Sequence, residues 1–303
     1  MSSKWMLAGL LALGVLAGPG CNAQTTPPPG PSAAKPTDTP AQPRASGEIK
    51  TADDLLSRLE TSDKDLKSLS AGMLYDRVFG LAGDRQVRKG QLHYVDSKAK
   101  DDKGQPAPGS RKFAITFEKL KLGDQPWRDQ PKTMIFDGHW LIEKMPEEKQ
   151  VIKREVVPAG KAFDALKIGE GPFPIPVGQK KDDILKRFNA QLLPTEEGIE
   201  GNEPADTPKL KDFVTKAKAW QLKLTPKSPD QDFKEIRLWY SQQESTGMLL
   251  PVMARTVNQQ DDVSLVELVN VKINQEPPAD VFDPNVPSGW QVSVEELKPE
   301  NRR

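Results

Sequence analysis

The only cysteine of the chain, Cys21, carries the one thiol that could take part in covalent chemistry. A single thiol in 303 residues excludes an internal disulfide framework and a cysteine-rich zinc site, because both need several cysteines. The residues directly before it, Gly18, Pro19 and Gly20, are small or apolar. The position of Cys21 therefore favours modification of its thiol near the start of the chain.

A short apolar segment precedes this cysteine. Residues 6–17 are Met-Leu-Ala-Gly-Leu-Leu-Ala-Leu-Gly-Val-Leu-Ala, and they follow Lys4. About 12 residues are too few to span a bilayer, which takes roughly 20 in a helix, but they fit the apolar region of a secretory signal. A cysteine at the end of such a signal resembles a bacterial lipoprotein signal, in which the thiol receives a diacylglycerol. The alternative is an ordinary secreted protein with an unmodified cysteine.

The other residues suited to catalysis or metal binding are scattered. His93 and His139 have no second ligand at the spacing of a metal site. There is no Gly-x-Ser-x-Gly elbow, Walker loop or His-Glu-x-x-His helix, and residues 169–171 lack the third glycine of a dinucleotide loop. We therefore expect no metal, no cofactor and no catalytic residue, although a glycosidase-type carboxylate pair stays open among 43 acidic residues.

The charge balance limits the partners. The chain has 43 basic and 43 acidic residues and a formal net charge of +0. Nucleic-acid-binding proteins need a basic surface, so we expect no nucleic-acid partner. The mean hydropathy of -0.61 excludes a membrane protein with many spans.

Proline divides the chain into regions. Residues 22–48 contain Pro27, Pro28, Pro29, Pro31, Pro36, Pro40 and Pro43 among Ala, Thr, Ser and Gln. Such a segment has little to bury and forms an extended, hydrated tether. We predict a signal peptide over residues 1–20, the acylated cysteine and tether over 21–48, a folded domain over 49–295 and a charged tail over 296–303.

The folded region must then position any binding site, and its pattern predicts one helix followed by strands. Thr51 is placed to cap a helix that begins there. From Ser70 onward apolar and polar residues alternate, as in antiparallel strands with one wet face. Asp137-Gly138 indicates a hairpin, Asp261-Asp262 separates runs at Leu249–Asn258 and Val263–Ile273, and Lys180–Phe188 is typical of a helix. These elements predict an α+β domain with one large curled antiparallel sheet of roughly ten strands and two or three helices.

These strands carry more apolar side chains than so few helices cover. A curled sheet with an uncovered apolar face forms a cavity for an apolar ligand or a docking site for a partner, unless the helices simply fill it. The pattern does not show which side of each strand faces inward. The candidate cavity residues are the alternating apolar positions Phe113, Ile115, Phe117, Met134, Phe136, Trp220, Leu222, Leu224, Ile236 and Leu238.

The order of several motifs adds a family resemblance. Thr133–Val151 contains a strand, an Asp-Gly turn, a strand ending near a proline and a Gln-Val strand. Further motifs follow at Leu222–Pro226, Ile236–Tyr240, Leu250-Pro251 and Val281–Val292. Over residues 51–292 this order resembles the outer-membrane lipoprotein-sorting protein superfamily, which has the LolA/LolB-like fold. Gly-Pro-Phe-Pro at residues 171–174 is similar to an uncharacterised planctomycete lipoprotein branch of that superfamily.

The resemblance implies an unclosed antiparallel half-barrel wrapped around helices, with an apolar cavity that holds acyl chains in the sorting proteins. Cys21 gives this chain an anchor that the soluble carrier lacks, and the carrier's Arg-Pro strand has no match near Lys112–Glu118. Asn22 is not the aspartate of an inner-membrane retention signal, which favours the outer membrane.

We therefore expect a protein secreted across the inner membrane and lipid-anchored in the envelope, on the periplasmic face. It would bind a lipid or an acylated protein, in lipid or lipoprotein trafficking, and would not be an enzyme. The alternative is an envelope sensor or protein-binding module that uses the same groove.

Overall fold

The computed structural model describes residues 48–100, 107, 109–157, 180–199, 210–228 and 232–297. Glu48–Arg303 form one compact unit. The signal, Cys21 and the tether lie outside the described residues, as do residues 169–177 and 298–303.

Three α-helices and twelve strands make up the described secondary structure, together with a 3-10 turn at Asp63–Asp65. The helices are α1 (Ala52–Ser62), α2 (Lys181–Arg187) and α3 (Leu210–Lys216). The strands are β1 (Ser68–Val78), β2 (Arg85–Asp96), β3 (Arg111–Leu122), β4 (Arg128–Phe136), β5 (Trp140–Met145), β6 (Gln150–Glu155), β7 (Phe188–Leu193), β8 (Trp220–Pro226), β9 (Phe233–Gln242), β10 (Leu249–Asn258), β11 (Val263–Ile273) and β12 (Gln291–Glu295). None of the helices in these ranges has the length and apolar character needed to cross a membrane.

The described strands belong to one sheet in the order β12-β6-β5-β4-β3-β2-β1-β11-β10-β9-β8-β7. The strands β12 and β7 end the series, and the curled sheet is not closed. The α+β class and the unclosed curled sheet are confirmed, with twelve strands in place of roughly ten. One pairing differs from the antiparallel expectation, because β12 runs parallel to β6.

Helix α1 begins where the sequence predicts it, with reciprocal capping at its first turn. The Asp54 amide donates to Thr51 Oγ1 over 3.1 Å, and the Thr51 amide donates to Asp54 Oδ2 over 2.9 Å. This arrangement satisfies backbone donors that a helix start leaves without partners. The hydrogen bond from the Thr51 hydroxyl is the largest of the causes that lower the pKa of Asp54.

A Thr51→Ala variant should lower the free energy of unfolding by about 1 kcal/mol, because it removes the capping oxygen. Urea denaturation followed by circular dichroism measures this change. Thr61→Ala, in the last turn of the same helix, is the control and should have a smaller effect. Equal losses in the two variants would show that capping contributes nothing specific.

The two hairpins expected from the sequence are present. Gly138 has a φ of 102°, and Asp137 Oδ1 accepts hydrogen bonds from the amides of His139 and Trp140 over 2.9 and 2.7 Å. Asp261, with a φ of 61°, lies in the turn between β10 and β11. Positive φ values suit tight hairpin turns, because they match the twist of the flanking strands.

A β-bulge in β3 interrupts the alternation of the sequence. Gly90 pairs with Phe117, whereas Lys89, the residue before it, pairs with Lys119. Strand β3 therefore contains one extra residue, Glu118, at this point. As a result Phe117 and Leu120, three positions apart, are both only 2% exposed. Gly90 permits this close approach, since a Cβ atom there would lie 2.0 Å from the carbonyl oxygen of Thr116.

Buried residues cover both faces of the sheet. We call the face on which α1 and α2 pack the inner face; Leu55, Leu56 and Ile184 of these helices join its buried residues. On the opposite, outer face, α3 packs Val214 into a cluster with Trp239. Residues 281–290 supply further apolar side chains to the outer face of β3 to β6.

Candidate functional site

The inner face is continuous from β4 to β8. Phe113 pairs with Phe136 at one end of this stretch, and Leu222 pairs with Leu238 at the other. The register of the intervening strands carries the same face from one pair to the other. Because directly paired residues point to the same side of a sheet, these four side chains share one surface.

All ten candidate cavity residues lie on this inner face. Odd positions face inward in β3 as far as the bulge at Glu118, and even positions do so in β4, β8 and β9. Met134 and Trp220 are partly buried. The remaining eight are at most 2% exposed: Phe113, Ile115, Phe117, Phe136, Leu222, Leu224, Ile236 and Leu238. Their role in ligand binding stays a prediction.

The candidates fall into two groups along the inner face. Those of β8 and β9 belong to one buried cluster with α1 and α2. Those of β3 and β4 belong to a second cluster, which includes Leu66, Val157 and Met248 from connecting segments. The inner face therefore has two halves. Helices α1 and α2 cover one half, and β1 to β5 form the other.

Arg88 places a positive charge on this second half. It lies on β2 opposite Tyr75 and Leu120, and its Nη2 donates to Gln130 Oε1 over 3.2 Å. Its guanidinium carbon is 5.8 Å from the centre of the Phe117 ring. Nη1 is buried, and no described residue accepts a hydrogen bond from it. Burial lowers the pKa of Arg88, although an arginine keeps its charge at neutral pH.

A charged triad stands nearby on the inner side of β4, β5 and β6. Glu143 is 9% exposed; Lys132 Nζ lies 2.5 Å from its Oε1 and Arg154 Nη1 lies 3.3 Å from its Oε2. Arg154 Nε also lies 2.8 Å from Oε2 of the more exposed Glu295. Both oxygens of the buried carboxylate are thus engaged by cations.

Sequence reasoning missed these inner-face charges because it could not assign the inward side of each strand. Once Leu92 and Phe136 are known to face inward, Arg88 and Lys132 follow, because each lies four positions away on the same strand. The even spacing of these residues is visible in the sequence, but it indicates the inward side only when the orientation of one residue in each strand is known.

The two histidines lie in separate settings. His93 is 6% exposed, and its Nδ1 is 2.9 Å from the hydroxyl of Ser70, its cross-strand neighbour. Burial lowers the pKa of His93. His139 Nε2 is 3.5 Å from Glu155 Oε1, and its ring meets Trp140 edge-on at 5.0 Å. The first contact joins adjacent strands, and the second lies at the turn between β4 and β5.

His93 also lines a groove of about 720 Å³ on the outer face. Its walls include Val269 and Lys272 of β11, Phe213 of α3 and the segment 275–278. Val269 is 40% exposed. The lining mixes apolar and charged groups.

Comparison of sequences finds no relative: no protein-family model matches the chain, and no curated protein matches it either. Comparison of structures finds similar folds. An uncharacterized conserved protein from Thermus thermophilus aligns at 12% identity with a TM-score of 0.39, covering 80% of this chain and 99% of that one. A putative outer membrane lipoprotein-sorting protein domain from Vibrio parahaemolyticus aligns at 12% identity with a TM-score of 0.37, covering 78% and 98%.

A LolA superfamily protein from Nitrosomonas europaea aligns at 13% identity with a TM-score of 0.32, covering 78% of this chain and 98% of that chain. Similarities of this size carry no information about function, which has to be inferred from the residues of this chain. The solved structures that align with this chain include ones described as belonging to the lipoprotein-sorting superfamily.

Proposed function

We propose that this chain is a secreted, lipid-anchored envelope protein whose inner face binds the acyl chain of a lipid or of an acylated protein. The observation that carries the proposal is the continuous apolar inner face, on which all ten candidate residues lie. Apolar side chains from four strands offer the low polarity and the extended shape that an acyl chain needs. The role is binding, in lipid or lipoprotein trafficking, and involves no catalysis.

The helices α1 and α2 provide a cover that can move. Both are short, and they join the sheet through side-chain packing rather than through a ladder of backbone hydrogen bonds. The two helices are joined to each other by the Lys181–Asp53 ion pair at 2.5 Å. Elements of this kind open at lower free energy than the sheet itself. Opening would expose Leu222 and Leu238 to a ligand.

The anchor is the second part of the proposal. A diacylglycerol on Cys21 would hold the protein at the membrane, because two or more acyl chains give stable attachment. Residues 22–48 would then serve as the tether of a domain over 49–295, followed by a tail over 296–303. The outer membrane, on its periplasmic side, is the favoured location.

Acyl binding is tested with purified, delipidated protein and a fluorescent polyene fatty acid. We expect saturable binding, and we expect lipid in organic extracts of the protein before delipidation. Met134→Gln, which places an amide on the inner face, should weaken binding by about tenfold, since burial of an apolar side chain contributes about 1.5 kcal/mol or more. Titration of the fluorescence measures this loss.

The matched control is Thr133→Gln, the neighbouring residue on the same strand but on the outer face. It should bind the fatty acid like the unmodified protein. An absence of both saturable binding and extractable lipid would refute the proposal, and equal losses in the two variants would show that the inner face is not the site. Displacement of the fatty acid by an unacylated protein segment would favour the alternative, a protein-binding module.

A further inference from the structure

The Arg88 guanidinium has more donors than the described residues satisfy. One hydrogen bond goes from Nη2 to Gln130, whereas Nη1 is buried and meets no acceptor among those residues. Buried polar groups in folded proteins are nearly always hydrogen-bonded, and a buried cationic donor without an acceptor is costly. The Nη1 group can therefore donate to a further acceptor, which the described residues do not supply.

A buried carboxylate on the same face does not serve as this acceptor. Glu143 attracts Arg88 electrostatically, but its two oxygens lie against Lys132 and Arg154. Lys132 and Arg154 thus engage the carboxylate that attracts Arg88, and Arg154 is also paired with Glu295. An anion beside Arg88 would supply the acceptor that its Nη1 lacks.

The apolar surface begins at the same place. The Phe117 ring lies beside the Arg88 guanidinium, and β2 continues on the inner face through Leu92 to Tyr94. Tyr94 lies six positions after Arg88, which is about 20 Å along a strand. This distance is comparable to the length of an extended hexadecyl chain. A charge at one end and an apolar track along the strand match the two parts of an anionic amphiphile.

We propose that the inner face selects an amphiphile with an anionic headgroup, a carboxylate or a phosphate, which the Arg88 guanidinium binds. The planar guanidinium presents paired N–H groups that fit the two oxygens of such a group. This inference rests on the proposed function, since it places the headgroup of the same ligand whose acyl chain lies on the inner face.

The test compares palmitate with hexadecanol, which have the same chain length but different headgroups, by displacement of the fluorescent fatty acid from the full chain. Unmodified protein should bind palmitate at least about tenfold more tightly than hexadecanol, as a charge-assisted hydrogen bond provides. Arg88→Met should abolish this preference and leave the affinity for hexadecanol unchanged. Lys119→Met, which removes an exposed cation from the outer face of β3, is the control and should keep the preference.

The outcomes separate the two proposals. If neither compound binds, the proposed function fails. If both compounds bind equally to the unmodified protein, acyl binding stands and the headgroup inference is wrong. The same conclusion follows if Arg88→Met keeps the preference for palmitate. Equal binding by the unmodified protein decides the question even if the variant does not fold. Acetate and inorganic phosphate at millimolar concentration should not displace palmitate, and displacement by either would assign Arg88 to a free anion instead.

Discussion

A Cys21→Ser variant should move from the membrane fraction to the soluble envelope fraction and should lack the mass of a bound lipid. The serine hydroxyl is not the thiol that a diacylglycerol transfer requires, so the proposed anchor cannot form. Each buried methylene of an acyl chain contributes about 0.8 kcal/mol to membrane attachment, and losing the chains should therefore release essentially the whole population. Cell fractionation and intact-mass measurement record the two effects.

The matched control is Ser32→Ala, which changes a small residue of the tether and leaves the thiol in place. This variant should stay in the membrane fraction with its lipid mass. A Cys21→Ser protein that remains bound to the membrane with an unchanged mass would show that Cys21 is not the anchor. The folded domain should unfold at the same urea concentration in all three forms.

A Gly90→Ala variant should lose about 3 kcal/mol of unfolding free energy. Its new Cβ would lie 2.0 Å from the carbonyl oxygen of Thr116 and 2.8 Å from the Cα of Phe117. Both atoms belong to the backbone of the bulged strand, so no side chain can rotate away, and relief requires β2 and β3 to separate locally. Overpacking of this kind costs about 1–3 kcal/mol, and a backbone contact falls at the upper end. Urea denaturation measures the loss.

Gln91→Ala is the control, because Gln91 is the exposed next residue on the same strand. Its free energy of unfolding should change by no more than about 0.5 kcal/mol. If Gly90→Ala proved as stable as the unmodified protein, the close approach of β2 and β3 at the bulge would be wrong.

The central hairpin shows how far the sequence alone can predict this fold. The runs expected at Leu249–Asn258 and Val263–Ile273 are β10 and β11 with the same limits. Both runs are rich in β-branched and apolar residues, and the Asp261-Asp262 pair between them favours a turn, so local propensity and tertiary structure agree. The start of α1 was equally predictable from the sequence, because its capping residues lie only three positions apart.

Other elements were harder to predict. Strand β12 alternates apolar and polar residues, but it is exposed along its whole length, so the alternation does not mark a buried side. Strand β7 follows α2 without a break, and Phe188 ends the helix and begins the strand. Here the pairing partner decides the conformation, and that partner is distant in the sequence.

The candidate site was predictable as a set of residues but not as a surface. Period-two alternation identified Phe113 and Leu222 without showing that both face the same side. That relation passes through the registers of the strand pairs between β3 and β8, and a shift of one residue in any of them would reverse it. That Arg88 lies on the same face as these residues could be inferred only from this register.

The parallel strand β12 has a consequence for the order in which the protein folds. Its contact with β6 joins residues as far apart as Arg154 and Glu295, which are 141 positions apart. Closing so long a loop is slow, because its entropic cost comes before the contacts between the two strands can stabilise the fold. The hydrogen-bonding edge of β6 is therefore left open until the final part of the chain returns to it. During this interval the nascent domain presents a bare strand edge, the kind of surface at which incompletely folded chains associate with one another.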